Sequence, residues 1–473
     1  MKDFLYSHFG LKARGTRVRT ELLAGFTTFL TMAYIIIVNP SILSITGMDK
    51  GAVFVATIVA TVIGTLIMGL YANVPFAQAP GMGLNAFFTF TVVIAMAFPW
   101  QQALAIVFIC GIVNIIITVT SIRKMLILAI PESLQYAISA GIGLFIAYIG
   151  FKNGHFLDFT SEGQNIFSSI VDGNNVKLAV AKDIIPSIVP FKDPASIVTL
   201  LGLVITAILM ILRVRGAILI GIVAATIIGI FNGVTQIPSI SLNSFIPPDP
   251  TPTLFKLDFV GLFSSATGIF AILATILAFS LADTFDTIGT FLGTGRKSGI
   301  FDAKDEKALH TGKGFSSRLD KALVADATAT SVGALLGTSN VTTYIESASG
   351  ISAGGRTGLT SVFVAIFFLL CLFFSPFALM VPAAATAPAL IVVGILMMSS
   401  ITKINWEDFN VAAPAFFTAV VMPFTYSIAN GVAVGFIFYV ITMICTGKAK
   451  KVHPIMYIAT LLFILNFVHK ALT

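Results

Sequence analysis

Gly337-Thr338-Ser339-Asn340-Val341-Thr342-Thr343-Tyr344-Ile345-Glu346 decides the fold, because it lies where hydropathy calls for a membrane span yet carries residues that do not build one. A second stretch, Ala79-Pro80-Gly81-Met82-Gly83-Leu84-Asn85, has the same character in the first half of the chain. Pro80 and its neighbouring glycines disfavour helix, whereas the Val-Thr-Thr-Tyr run favours an extended strand. Each segment is therefore predicted to be half extended and half helical. Irregular backbone at membrane depth survives only where it is buried in protein or lines a cavity. Two short strands can satisfy one another and leave the following helix amino termini aimed at a ligand.

Working outward, the rest of the chain reads as an all-α polytopic membrane protein. Of its 473 residues 57% are hydrophobic and only 10% charged, including 42 Phe, and the mean hydropathy is +0.97. Uncharged runs of about twenty residues match the hydrocarbon thickness and exclude a soluble core. Spans are predicted near 21–38, 52–72, 76–97, 102–122, 134–151, 196–213, 216–233, 263–290, 321–337, 339–353, 357–379, 382–400, 409–424 and 429–446, fourteen in all. The 455–471 stretch either spans or lies in the interface. With a cytoplasmic amino terminus, 21 of the 28 Lys and Arg fall in inner segments and 6 in outer loops, with Lys470 unassigned. That asymmetry supports the count and the orientation, so the net charge of +7 reports topology rather than nucleic-acid binding. Residues 1–21 lack a signal-peptide pattern and read as a short interfacial helix. Trp100 and Trp406 fall at span ends, as interfacial anchors do. Cys110, Cys371 and Cys445 lie in apolar runs without metal-ligand spacing and read as core filler.

The spans divide into two sets of seven, with the interrupted spans, third and tenth, at matching positions. Such a pattern points to an inverted repeat with a substrate at the breaks. Acidic residues at membrane depth mark functional sites by default. Glu21 and Glu132 read as stabilising the positive ends of the helices they begin. Asp326, near the cytoplasmic end of span nine, reads as a structural hydrogen-bonding position. Asp283 and Asp286, three apart in span eight, share nearly one helical face, and Glu346 follows the proposed strand where a new helix begins. These three are the functional candidates. Asn85 occupies the matching break, as ligand contact or helix cap. The polar 151–195 loop, with Asp158, Glu162, Asp172 and Asp183, reads as a solvated excursion, and the charged 293–320 loop has no assigned role.

The motifs resemble the azaguanine-resistance (AzgA-like) branch of the nucleobase-cation symporter-2 family, the purine permeases of bacteria and fungi. The resemblance covers nearly the whole chain. It rests on Asn39-Pro40, Gln78-Ala79-Pro80-Gly81-Met82-Gly83-Leu84-Asn85-Ala86, Ala282-Asp283-Thr284-Phe285-Asp286-Thr287-Ile288-Gly289-Thr290, Thr342-Thr343-Tyr344-Ile345-Glu346-Ser347 and the closing Pro423-Phe424-Thr425-Tyr426-Ser427-Ile428-Ala429-Asn430-Gly431. What it implies is a seven-plus-seven inverted fold in the cell membrane. A cytoplasmic segment (1–20) would precede a core domain in two parts (21–122 and 263–379), a gate domain in two parts (123–233 and 380–446) and a carboxyl-terminal segment (447–473). The implied binding positions are Asn85, Asp283, Asp286 and Glu346, and relatives form dimers through the gate domain.

A purine base is flat and neutral, with ring N–H donors and ring nitrogen acceptors. A carboxylate accepts two parallel hydrogen bonds from adjacent N–H groups, and Glu346 is the residue expected to do so. Two buried acids three residues apart share a proton more readily than both ionise, so Asp283 and Asp286, with Glu346, are the expected proton-coupling groups. A bound proton and a bound base would then favour each other, as in symport, with sodium as the alternative coupling ion. Phe87, Phe285 and Tyr344 are the rings expected to stack on the base. No cofactor, metal or catalytic residue is expected. An intramembrane aspartyl protease would need Tyr-Asp and Gly-x-Gly-Asp patterns, which are absent. A passive channel or anion exchanger on the same inverted fold would explain the breaks but not the acids, since carboxylates repel anions. Which purine is preferred stays open at this level.

Overall fold

The computed structural model describes residues 6–120, 129–171, 174–238, 242–264, 268–296, 298–302, 305 and 317–472. In chain order the regular elements are α1 (Val18–Met32), α2 (Ile35–Leu43), α3 (Lys50–Ile67), β1 (Gln78–Pro80), α4 (Met82–Ala86), α5 (Trp100–Val119), α6 (Glu132–Asn153), β2 (Leu157–Val171) and β3 (Asn174–Ile188). They continue as α7 (Pro194–Ile211), α8 (Ala217–Phe231), α9 (Phe259–Ser264), α10 (Ile269–Thr290), α11 (Arg318–Leu336), β4 (Val341–Thr343), α12 (Ser347–Ser352), α13 (Gly358–Leu370), α14 (Ser375–Leu379), α15 (Ala383–Met398), α16 (Phe409–Phe424), α17 (Ile428–Cys445) and α18 (Pro454–Leu472).

Nine helical segments among the described residues are long and apolar enough to cross a bilayer, and four shorter apolar helices accompany them. The chain is a multi-pass membrane protein. Two of the expected spans fall outside both groups. Helix α11 carries Arg318, Asp320, Lys321 and Asp326, which dilute its hydropathy, and the tenth is a three-residue strand followed by the short α12. The 455–471 stretch is helical, and its Met456 and Phe463 are buried where α18 packs on α10 and α17.

Helices α1, α3, α5, α10, α11 and α13 pack mainly with one another, as do α6, α7, α8, α15, α16 and α17. Small residues set the closest approaches. A Cβ on Gly143 of α6 would collide with the Gly394 carbonyl and Met397 of α15, and one on Gly394 with the Gly143 carbonyl, so these helices cross backbone to backbone. The two interrupted segments meet as expected, with β1 and β4 pairing antiparallel in the register Gln78 to Thr343, Ala79 to Thr342 and Pro80 to Val341. Helix α11 ends at Gly337, whose φ of 95° lets the chain turn into the second break. Beyond β1, α4 runs into a π-helical stretch, Phe87–Ala95.

Some expectations are corrected by the packing. In the described part of the amino-terminal segment residues 6–8 are helical ahead of α1, and Phe9 and Leu11 are buried against Leu359 of α13 rather than laid on a membrane surface. Within the 151–195 loop, residues 157–188 form a two-stranded hairpin, β2 with β3, a feature the reading of a solvated excursion did not specify. Asp172 and the side chains of Glu162 and Asp183 lie outside the described residues, as do Arg123, Lys124 and half of the 293–320 loop. Glu21 does sit in the first turn of α1, but its carboxylate accepts from the backbone N–H groups of Arg356, Thr357 and Thr360, at 3.0, 3.3 and 3.2 Å. It therefore caps α13, not its own helix. Glu132 opens α6, as predicted. Cys110 is buried, whereas Cys445 is exposed and fills no core.

Candidate functional site

The paired strands are held by one buried carboxylate. Asp326 of α11 accepts from Thr343 Oγ1 of β4 at 2.7 Å, Gln78 Nε2 of β1 at 3.2 Å and Thr287 Oγ1 of α10 at 2.9 Å. An apolar span cannot offer these strands a partner, and a carboxylate, which only accepts, suits three converging donors. Gly81 N–H donates to the Asn340 carbonyl at 2.9 Å, and Tyr344 N–H to the Ala77 carbonyl at 3.0 Å, extending the pairing past both strand ends. Asn39 of α2 donates to Thr57 Oγ1 at 2.7 Å and Thr338 Oγ1 at 2.9 Å, tying α3 to the second break.

A cavity of about 160 Å³ lies beside the strand ends, between the two sets of helices. That is below the roughly 300 Å³ at which pockets for drug-sized ligands begin, and suits a small molecule. One wall carries Tyr34, Asp286, Thr342, Tyr344 and Glu346, and the other Ser139, Ile142, Val393, Leu396, Met397 and Ser400. Glu346 is half-buried at the start of α12 and accepts from Tyr34 Oη at 2.7 Å. No other described side chain donates to it. Asp286 is also half-buried and accepts no hydrogen bond from a described residue, so its oxygens are open to the cavity. The arrangement presents two carboxyl groups and a phenol to a ligand on one side and aliphatic side chains with hydroxyls on the other.

The remaining predicted residues lie elsewhere. Asp283, on the same helix as Asp286, is fully buried away from the cavity lining, and it accepts from Asn114 Nδ2 at 3.0 Å and Thr330 Oγ1 at 3.4 Å. Asn85 is fully buried, accepts from the Ser339 hydroxyl and leaves its Nδ2 without a partner, so it links the two breaks rather than lining the cavity. Phe87 packs on Phe279, ring centroids 4.3 Å apart, and neither it nor Phe285 lines the cavity. Tyr344 does line it, with its hydroxyl donating to the Pro80 carbonyl at 2.6 Å. Tyr34 was missed by the sequence reading: a lone Tyr in an apolar helix carries no motif, and only the fold brings it to Glu346. Among the described residues no His, Cys, Asp and Glu cluster has metal-site geometry.

The family model described as "Permease family", for xanthine and uracil permeases, matches residues 19–434, most of the chain and both breaks. The chain belongs to this permease family. It is a transporter of the nucleobase-cation symporter-2 group that its motifs resemble, and not an enzyme. It is similar to the adenine permease AdeP of Escherichia coli, 41% identical over 97% of this chain and 95% of that one. It is also similar to the guanine/hypoxanthine permease PbuG of Bacillus subtilis, 41% identical over 99% of each. Among solved structures it resembles the transmembrane domain of a cyanobacterium bicarbonate transporter, BicA, with a TM-score of 0.55 over 91% of this chain and 97% of that one. At 15% identity that likeness speaks to the fold alone.

Proposed function

We propose that this permease imports purine bases across the cell membrane together with a proton. The observation that carries the reading is the pair of carboxyl groups, Glu346 and Asp286, at a small cavity beside paired strand ends. Close relatives named for adenine and for guanine/hypoxanthine support the substrate class. Glu346, oriented by Tyr34, accepts from the N–H edge of the base. Asp286, facing the cavity without a partner, together with Asp283 and Glu346, handles the coupling proton: a proton taken up beside Glu346 removes a like charge and leaves its carboxylate to accept the base, so bound proton and bound base favour each other. Tyr344 lies against the ring. Asn85 acts at one remove by holding Ser339.

The proposed architecture is fourteen spans in a seven-plus-seven inverted repeat with a cytoplasmic amino terminus. The helix set holding α1, α3, α5, α10, α11 and α13 is the core domain, and the set holding α6 to α8 and α15 to α17 is the gate domain, through which two copies pair. A passive channel or anion exchanger on this fold is disfavoured by the two carboxyl groups on the cavity wall.

The test is uptake of labelled hypoxanthine in cells lacking their own purine carriers, competed by a panel of purines and pyrimidines. It is run with and without a protonophore and with sodium replaced. Purines should compete, the protonophore should abolish accumulation, and Glu346→Gln should lower affinity at least about tenfold, the worth of a charged hydrogen bond. Uptake indifferent to both protonophore and Glu346→Gln would overturn the proposal. Loss on sodium replacement alone would move the coupling to sodium.

A further inference from the structure

Glu346 and Asp286 stand on one wall of the cavity. The facing wall contributes mostly aliphatic side chains, but its Ser400 hydroxyl donates to the Ser139 hydroxyl at 3.3 Å, and both line the cavity. These residues come from distant parts of the chain. Ser139 lies on α6, one turn before Gly143, and Ser400 lies in the 3-10 turn after α15. The backbone contact at Gly143 and Gly394 brings α6 and α15 close enough for the two hydroxyls to meet. Helices held apart by larger side chains would leave them out of reach.

A hydroxyl has one hydrogen and two lone pairs. When one serine donates to the other, one hydrogen of the two is left to donate and lone pairs are left to accept. The pair therefore offers one donor beside an acceptor. Resting on the purine reading above, a base whose six-membered ring N–H edge meets Glu346 turns its five-membered ring toward the other wall. That ring carries one N–H and one acceptor nitrogen, the complement of the serine pair. A pyrimidine has no second ring to offer.

We propose that Ser139 and Ser400 form the subsite for the five-membered ring of a bicyclic base and are specificity-determining residues of this permease. The two serines recognise the N7 and N9 edge, and Ile142, Val393, Leu396 and Met397 supply the apolar bed around it. Neither serine carries charge, so the subsite acts on which base is chosen and not on the coupling ion.

The test is a chemical double-mutant cycle on labelled hypoxanthine uptake, with hypoxanthine, 7-deazahypoxanthine and 9-deazahypoxanthine as competitors. In the parent protein removal of N7 or N9 should weaken competition about five- to tenfold, the scale of a neutral hydrogen bond. In Ser139→Ala and Ser400→Ala the penalty for at least one deaza base should shrink toward onefold, because the partner of the missing nitrogen is already gone. Ser139→Thr keeps the hydroxyl and should keep the penalty, which separates recognition from damage to the helix crossing. An unchanged deaza penalty in both alanine variants would overturn the proposal, as would an equal loss for all three bases with no rescue by Ser139→Thr. Failure of the parent protein to take up hypoxanthine, guanine and adenine alike would instead overturn the purine reading.

Discussion

Replacing Asp326 separates what builds the site from what works in it. Its side chain receives the Thr343 hydroxyl, the Gln78 amide and the Thr287 hydroxyl, all in a buried environment. In Asp326→Ala these donors lose their acceptor together. Two have a second choice: Gln78 Nε2 already lies 3.4 Å from Thr343 Oγ1, and Thr287 Oγ1 lies 2.9 Å from Thr342 Oγ1. The Thr343 hydroxyl is left with no described alternative acceptor. At about 1–3 kcal/mol for a buried unsatisfied donor, with poorer geometry at the other two, the loss should be about 2–4 kcal/mol. Asp326→Asn is different, because its remaining oxygen keeps Gln78 and Thr343 while its new N–H group donates to Thr287, which turns its own hydrogen to Thr342. The loss there should stay below about 1 kcal/mol. Thermal unfolding of the purified protein in detergent, followed by fluorescence-detected size exclusion, ranks the three proteins. The expected order is parent and Asn close together with Ala well below. An alanine variant as stable as the parent, or an asparagine variant as damaged as the alanine one, would refute the claim that this carboxylate pins the strands.

Tyr34→Phe removes the one described donor to Glu346 and should weaken hypoxanthine competition about three- to tenfold without lowering the unfolding temperature; an unfolding change without an affinity change would place Tyr34 in packing instead. Asn at Asp286 should abolish accumulation against a gradient while leaving counterflow exchange measurable, whereas Asn at Asp283, which sits among Asn114 and Thr330, should also lower thermal stability; identical phenotypes would mean the two acids act as one unit. With the three native cysteines replaced, single cysteines at Met82 and Ile345 on the cavity wall should react with small water-soluble thiol reagents and be protected by hypoxanthine, while one at Leu22, on the apolar helix α1 away from the cavity, should stay inert; protection at only one of the first two would mean that the breaks do not share a site.

The membrane class and the two breaks were legible because each rests on a local excess or lack of residue types. Pro80 cannot donate and Val341 to Thr343 prefer extension, so the sequence around them had to leave the helix, and the two strands had only each other to pair with. Roles that depend on who stands opposite were not legible. A spacing of three turns a side chain by about 60° around a helix, small enough to read Asp283 and Asp286 as one face. Yet that angle carries one acid into the cavity and the other toward Asn114 on α5 and Thr330 on α11, partners far away in sequence. Glu21 shows the same limit: its place at a helix start pointed to that helix's own positive end, and only the fold reveals that the helix it caps is α13. The sequence placed Asp326 near a helix end, whereas it lies midway along α11, and its three donors come from segments that no periodicity links to it.

The least legible residues are those whose chemistry is ordinary. Ser139 and Ser400 belong to no motif, and two serines in a transmembrane protein this rich in small residues carry no signal of their own. What joins them is the pair of glycines at 143 and 394, which permit a helix approach that any Cβ would block. The information about that wall of the cavity is therefore written at positions that never touch a ligand. It follows that Gly143→Ala, which places a Cβ 2.8 Å from the Gly394 carbonyl, should disturb the choice among bases as strongly as loss of either hydroxyl. The carboxyl groups on the other wall, positioned by Asp326 and the strands, should still accept a base. A variant that folds, retains uptake and keeps the parent's deaza penalties would show that the glycine contact does not set the hydroxyl pair.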